Sequence, residues 1–538
     1  MKNSIVLFIL ILFCISCEKK ADNDENLAIF RYNESAGVLT TDPAFAKDLP
    51  HIWIANQLYN SLVSLDEQME IIPAIAKSWE ISEDGTTYTF YLRNDVFFHK
   101  NQVFIDSTRL VVADDVVYSF NRLVDPKLNA PGSWIFSSVK KDSTGYAFKA
   151  LNDTVFQVEL EKPFPPFLGM LSMTYASIVP HEAVSFYGDN FRNNPVGTGP
   201  FVFTYWKEGV RMVLRKNPNY FEKENNEQLP HIDAVSISFL IDKQIAFMEF
   251  IKGNFDFMSG IDARYKDELL TFDGTLRKKY ENRIQLFREP FFNTEYIGFY
   301  VPEYANLNKK QYLALRKAVN YAIDREKMIR FLRNGIGIPG HAGMIPISML
   351  KDFKTANYGY SFKPELAIKL IQENQLSGTR LSLSTTAEYV DLGKYVQAQL
   401  SALGLNVSVE VMPSATMRQM RAIGSLPFFR ASWVADYPDP ENYLSLFYSP
   451  NKSPYGPNYT HFSNTEFDVL YEKSMTLSDD NERFLIYRQM DSILMSEAPV
   501  VILFYDEILR FVNQRVQNFK TNPTNLLDLR KVKIEPEN

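Results

Sequence analysis

The sequence predicts an α/β protein of more than one domain. Two observations carry that reading. Between Pro364 and Met412 helix-period and strand-period segments alternate, with Pro364 to Gln375 and Leu392 to Leu403 as helices, and Leu381 to Thr385 and Asn406 to Met412 as strands. The length of 538 residues corresponds to about three domains at ordinary domain size. Hydrophobic residues at 46% and charged residues at 22% are those of a globular chain, which excludes disorder as its organising property.

The amino terminus reads as an address. Lys2 precedes an apolar run from Ile5 to Ile15, too short to cross a bilayer as a helix, so a signal peptide over residues 1–16 is expected. Ser16 precedes Cys17, and a polar linker EKKADNDEN follows. This resembles a bacterial lipoprotein box, with Cys17 as the acylated first residue and Cys14 standing where Leu is usual. Both cysteines, Cys14 and Cys17, lie in this segment, so the body has no disulfide and no thiol nucleophile. A net charge of −7 supplies no basic field for phosphates and sets nucleic acid aside.

In chain order, Ala28 to Glu34 reads as a strand and His51 to Leu65 as a helix. Strands Ser78 to Ile81 and Thr87 to Leu92 flank an Asp84-Gly85 turn, which supplies the positive φ a hairpin needs. Ala113 to Leu123 is a helix whose Asp114 and Asp115 suit the positive end of its dipole and are read as caps, not as an acid–base pair. Val155 to Leu160 is a strand. Val196 to Pro200, VGTGP, turns into strands Phe201 to Trp206 and Arg211 to Arg215; it lacks the helix start and Lys-Ser/Thr pair of a phosphate loop.

Farther on, residues 232–257 read strand, helix, strand; Ile284 to Tyr300 is a long strand and Leu313 to Leu332 a helix. GIGIPG at Gly335 to Gly340 matches a dinucleotide fingerprint literally, but it follows a helix and places Pro339 where a helix should open, so it is read as a loop. Glu466 to Ser474 and Asn481 to Glu497 are helices, and Val500 to Tyr505 a strand. The six histidines, His51, His99, His181, His231, His341 and His461, show no metal-site spacing, and no G-x-S-x-G elbow occurs. Neither a metal nor another cofactor is expected.

The most informative stretch is FFRASWVADYPDP, Phe428 to Pro440. As a strand it sets Phe429, Ala431, Trp433 and Ala435 on one face and Arg430, Ser432, Val434 and Asp436 on the other. Pro438 and Pro440 stiffen the exit, so Asp436 is presented beside Trp433 and Tyr437. A held acid between aromatic walls suits a ligand cation; an acid at such a turn also serves as a plain cap of backbone N–H groups.

AKSWEISEDGTTYTFYLRNDVFFH, ADDVVYSFNR, PVGTGPF with KNPNYF, and RKAVNYAIDREKMI, in this order, resemble the family 5 extracellular solute-binding proteins, the peptide-binding subunits of ABC importers. The resemblance runs from about Leu27 to the carboxyl terminus. It implies a two-lobed periplasmic-binding-protein fold of the class II (cluster C) type, with an extra domain in the first lobe. Lobe 1 is expected over 27–61, 195–287 and 506–538, the extra domain over 62–194, and lobe 2 over 288–505, after a lipid-anchored linker at 17–26.

By position, the resemblance makes Asp436 the partner of a peptide's α-amino group, Trp433 a cleft wall with Tyr437 beside it, and Arg430 a partner for a ligand carboxylate. Strand geometry separates Arg430 from Asp436 by roughly 20 Å, beyond a short peptide, so pairing of Arg430 with an internal acid is the other reading. The implied protein is a monomeric, non-enzymatic lipoprotein of the cell envelope, at the periplasmic or extracytoplasmic face, held to the membrane by its anchor alone. It would deliver di- to oligopeptides to an ABC permease. Haem, a metal chelate or an oligosaccharide is the alternative cargo. A secreted hydrolase using Asp436 with Asp439 is the alternative class.

Overall fold

The computed structural model describes residues 27–535, except 144, 263, 303, 305 and 351–357. Cys17 and the amino-terminal apolar run lie outside the described residues. Ile29–Asn33 is a strand in which Phe30 and Tyr32 are buried by alternation. It pairs in parallel with Ala234–Ser238, and the helix Lys243–Lys252 connects that strand to Phe257–Ser259, which pairs in parallel at Tyr32. This is the strand–helix–strand unit expected from the sequence.

These strands belong to one 11-stranded sheet. Its spatial order is Phe201–Lys207, Arg211–Lys216, Ala234–Ser238, Ile29–Asn33, Phe257–Ser259, Val500–Asn513, Ile284–Phe299, Phe428–Val434, Arg380–Thr385 and Asn406–Val411, with Ile338–Pro339 attached to Val500–Asn513. Two long strands therefore run through both halves. Ile284 to Pro290 pairs with Asn513 to Glu507, and Thr294 to Gly298 pairs with Tyr505 to Val500. The ladder is irregular between Pro290 and Thr294, where Pro290 supplies no N–H. The two-lobed α/β fold is thus built around a shared pair of strands.

A separate four-stranded antiparallel sheet, in the order Ala76–Ile81, Thr87–Leu92, Val155–Glu159 and Phe148–Asn152, forms the body of the extra domain. Gly85 turns its first hairpin at φ 70°. Helix Ala113–Val124 covers this sheet with Val116, Phe120 and Leu123 buried. Asp115 accepts from the Val112 N–H at 2.9 Å, which is the capping role expected of it.

Two helices depart from expectation. The helix read as His51 to Leu65 spans Leu49–Leu58, started by the Asp48 cap and Pro50, and Val63–Leu65 turns into a short strand pairing with Ile71–Pro73. Apolar spacing at Leu58 and Leu62 continued by coincidence across the end. The helix read as Leu313 to Leu332 is two helices, Lys309–Ala322 and Arg325–Arg333. Ile323 is extended, and Asp324 caps the second helix by accepting from the Lys327 N–H; a side-chain cap inside an apolar period restarts the helix in a new direction.

VGTGP is a packing device. A Cβ at Gly197 or Gly199 would fall 2.1 Å and 2.4 Å from the Leu58 backbone, and the Gly199 carbonyl accepts from Asn217 Nδ2 at 3.0 Å. The glycines let the turn lie against the end of helix Leu49–Leu58. GIGIPG is entered through the left-handed Asn334 and Gly335, and its Ile338–Pro339 is the short strand attached to Val500–Asn513, so no helix follows the glycines.

Candidate functional site

The strand Phe428–Val434 lies antiparallel to Ile284–Phe299, from Phe428 opposite Phe299 to Val434 opposite Asn293. Phe429, Ala431 and Ala435 enter one hydrophobic cluster of lobe 2, with Trp433 packed against it, while Phe428 enters the cluster on the other face. The expected alternation is realised, and Arg430, Ser432, Val434 and Asp436 are the less buried set.

At the carboxyl end of the strand, the Ala435 N–H still bonds the Phe292 carbonyl at 2.8 Å. Asp436 follows and is exposed. Among the described residues its carboxylate makes no ion pair. The capping role falls to Asp439 instead, which accepts from the Glu441 N–H at 2.9 Å and pairs with Arg483 at 2.8 Å. Asp436 and Asp439 are therefore in different environments, one open and one buried. That is not the matched pair a two-carboxylate hydrolase would use.

Burial among the surrounding walls pushes the Asp436 carboxyl up to about 6, with the Asn442 side chain pulling the other way. The residue keeps accessible surface, yet the protein mass around it strips much of its hydration. Burial likewise raises the Tyr175 hydroxyl to about 12, and the charges of Asp436 and Asp48 add to it. Acids far apart in the sequence, Asp436 and Asp48, thus act on one phenol. Glu34 is raised by burial and further by Asp48. His51 and Arg510 oppose that rise at Glu34.

Asn442 is the residue that sequence reasoning missed. Its Oδ1 accepts from Trp433 Nε1 at 2.7 Å and from the Asp436 N–H at 3.3 Å, so one carboxamide holds both the aromatic wall and the acid. Its place in the first turn of helix Glu441–Leu444, just after Pro440, was the available signal. Tyr437 is only 4% exposed and belongs to the hydrophobic cluster of lobe 1 and the extra domain. Its ring lies 6.4 Å from that of Trp134, and its hydroxyl donates to Glu441 at 2.5 Å. Tyr471 donates to the other Glu441 oxygen. Burial pushes the Glu441 carboxyl up to about 7.

Arg430 sits at the other end of the strand. It forms a two-pronged ion pair with Glu295, Nη2 to Oε2 at 2.5 Å, and its guanidinium stacks 3.3 Å from the Tyr389 ring centre. Burial works to lower it and Glu295 more than offsets that, so the guanidinium is held above its ordinary value. Its carboxylate is internal, and the structure does not bring it together with Asp436.

Asp115, His181 and Glu182 approach within 4.8 Å of one another, but Arg109 donates to Asp115 at 2.7 Å and to Glu182 at 2.6 Å. A guanidinium already holds these carboxylates, so the group is an ion-pair network. Among the described residues no helix is long and apolar enough to cross a membrane.

Two lobes sharing a pair of strands define the class of two-lobed solute-binding proteins. The chain belongs to the bacterial extracellular solute-binding proteins, family 5, whose model matches residues 70–455. It is 26% identical to the dipeptide-binding protein of Escherichia coli over 504 residues, 89% of each chain. It is 27% identical to heme-binding protein A of Haemophilus influenzae over 503 residues, 87% of this chain and 85% of that one. The solved structure of the periplasmic binding protein DppA from Helicobacter pylori, in complex with the peptide STSA, superposes with a TM-score of 0.75 at 24% identity, covering 94% of this chain and 98% of that one.

Proposed function

We propose that the protein captures di- to oligopeptides by their free amino terminus in the interlobe cleft and delivers them to an ABC-type permease. The observation that carries this reading is the open Asp436 carboxylate, held by Asn442 beside Trp433, without a cation of its own among the described residues. A bound ammonium would supply the missing charge. The relative named as a dipeptide-binding protein supports the peptide over other cargo. Lobe closure about the two shared strands would bury the ligand, with backbone groups holding its main chain. In this reading lobe 1 comprises 27–61, 195–287 and 506–538, the extra domain 62–194 and lobe 2 288–505. The protein is monomeric and releases its ligand intact.

Trp433 walls the cleft, and Tyr437 braces the turn against the extra domain. Arg430 acts through Glu295 and Tyr389, in keeping with the internal pairing its distance from Asp436 suggested. Removal of residues 1–16 and acylation of Cys17 would tether the protein to the membrane surface; Cys17→Ser is expected to move it from the membrane to the soluble envelope fraction. The relative named as heme-binding protein A favours haem as the second reading.

Calorimetry with a dipeptide and its N-acetylated form tests the assignment. Binding of the free dipeptide and none of the acetylated one is expected. Equal affinities would remove Asp436 from the amino-terminal role, and turnover of the peptide detected by mass spectrometry would overturn the binding class.

A further inference from the structure

A peptide held at Asp436 by its amino terminus brings a carboxylate at its other end, and Arg430 is already engaged with Glu295. A second cation is left without an anion. Arg510, on the strand Val500–Asn513, is 3% exposed and forms no ion pair among the described residues. Its guanidinium lies over the rings of Trp53 and Phe257, 4.8 Å and 5.1 Å from their centres. Burial pulls it down to about 9, and the charge of Glu34, which works the other way, does not offset that. A desolvated charge costs free energy until an anion answers it.

Arg510 meets its surroundings through two neighbours. Nη1 donates to Ser259 Oγ, and Nη2 donates to Asn525 Oδ1 and, at 3.3 Å, to the Asn525 carbonyl. A guanidinium only donates, so it takes the oxygen of each side chain and leaves their own donors turned away from it. The Ser259 O–H and the Asn525 Nδ2–H groups have no acceptor among the described residues. Ser259 is exposed and Asn525 half-buried, so both are within reach of a ligand. Asn525 is fixed in place: its carbonyl also accepts from Trp53 Nε1 at 2.8 Å, and Asn522 Oδ1 accepts from the Leu526 N–H at 2.9 Å.

This turn is tied to the strand end that carries Asp436. The Ala435 N–H bonds the Phe292 carbonyl at 2.8 Å, and the Phe292 N–H bonds the Pro523 carbonyl at 2.9 Å. Two such steps of about 5 Å and two residues of chain put Asn525 roughly 17 Å from Ala435 along that path, and no farther in space. An extended tripeptide is about 10 Å long, and the side chains at its two ends, with their hydrogen bonds, cover the remainder.

We propose that Ser259 and Asn525 form the subsite for the peptide's terminal carboxylate, with Arg510 as the positioning residue that orients their donors and supplies the charge behind them. The assignment rests on the peptide reading of Asp436.

Calorimetry on the full mature protein with trialanine and its carboxyl-terminal amide, trialaninamide, tests it. The free acid should bind about tenfold or more tightly than the amide. Asn525→Asp keeps a residue suited to the left-handed backbone, φ 63°, and gives Arg510 a carboxylate, so its melting temperature should not fall. Trialanine should weaken in it by about tenfold or more while trialaninamide stays within about twofold; damage to the fold would weaken both alike. Ser259→Ala, at an exposed position, should cut the preference for the acid severalfold. Equal binding of acid and amide by the wild-type protein, an unchanged preference in Asn525→Asp, or equal losses of both peptides in it would overturn the subsite and leave Asp436 in its role. Absence of binding by both peptides would strike the peptide reading, and the subsite would fall with it.

Discussion

The two ends of the Phe428–Val434 strand carry opposite charges in opposite states of completion. At one end Arg430 is satisfied: Glu295, 2% exposed, takes both prongs of its guanidinium, and Tyr389 covers its face. At the other, Asp436 is positioned with equal care through Asn442 but is given no counter-charge among the described residues. Evenly spaced on one strand face, the two residues would look equivalent. The difference teaches that a charge completed by its own fold serves the fold, whereas one that is held rigid and left incomplete is set up for something that arrives from outside.

The strongest way to break this contrast is Asp436→Ala. Peptide affinity should fall by about 3–5 kcal/mol, because a buried ligand ammonium is stranded, while denaturant unfolding of the unliganded protein shows no loss. Unchanged calorimetric affinity would refute the assignment. Glu295→Gln is the mirror experiment: stability should fall by about 3 kcal/mol as Arg430 loses its buried partner, with dipeptide affinity of the folded protein within about twofold. Collapse of affinity with stability intact would return Arg430 to the ligand's path.

Next in size is Asn442→Ala, which leaves the Trp433 Nε1–H and the Asp436 N–H without their acceptor. A loss of about 1–3 kcal/mol is expected, divided between stability and peptide affinity; an effect on stability alone would show that Asn442 does not position the site. The pH profile sharpens the contrast further. With the Asp436 carboxyl raised to about 6, the charged form needed for an ammonium is present above that pH and lost below it. Affinity should be flat near neutrality and about tenfold weaker one unit below the midpoint, and Asp436→Asn should abolish that slope.

The smallest effect concerns the unliganded fold. A carboxyl raised above its unfolded value makes its ionised form a burden, which grows as pH climbs from the ordinary Asp range through about 6. Asp436→Asn should therefore stabilise the empty protein at pH 7, by less than about 1 kcal/mol because the side chain meets solvent. Destabilisation in urea unfolding would contradict this.

Local pattern made much of the fold legible. Alternation placed Phe429, Ala431 and Ala435 on one face of their strand, and Asp84-Gly85 located the hairpin, because both are governed by neighbours along the chain. The break at Asp324 was hidden by an apolar period that runs on across it, and only the cap reveals it. The site divides in the same way. Asp436 and Trp433 were visible from their stretch, and their holder Asn442 stands six residues beyond Asp436. Glu295 lies 135 residues from Arg430, and no periodicity reports which acid a distant strand will offer. Asp439 looked like a second reactive acid until Arg483, 44 residues on, took it as a partner.

The pair of long strands has a mechanical consequence. Ile284–Phe299 and Val500–Asn513 lie side by side, antiparallel, and each belongs to both lobes, with their regular pairing interrupted between Pro290 and Thr294. Two adjoining straps fastened at both ends resist stretching and sliding but yield to torsion where their cross-links lapse. Relative motion of the lobes would thereby be channelled into a twist about a short segment, as in a leaf spring.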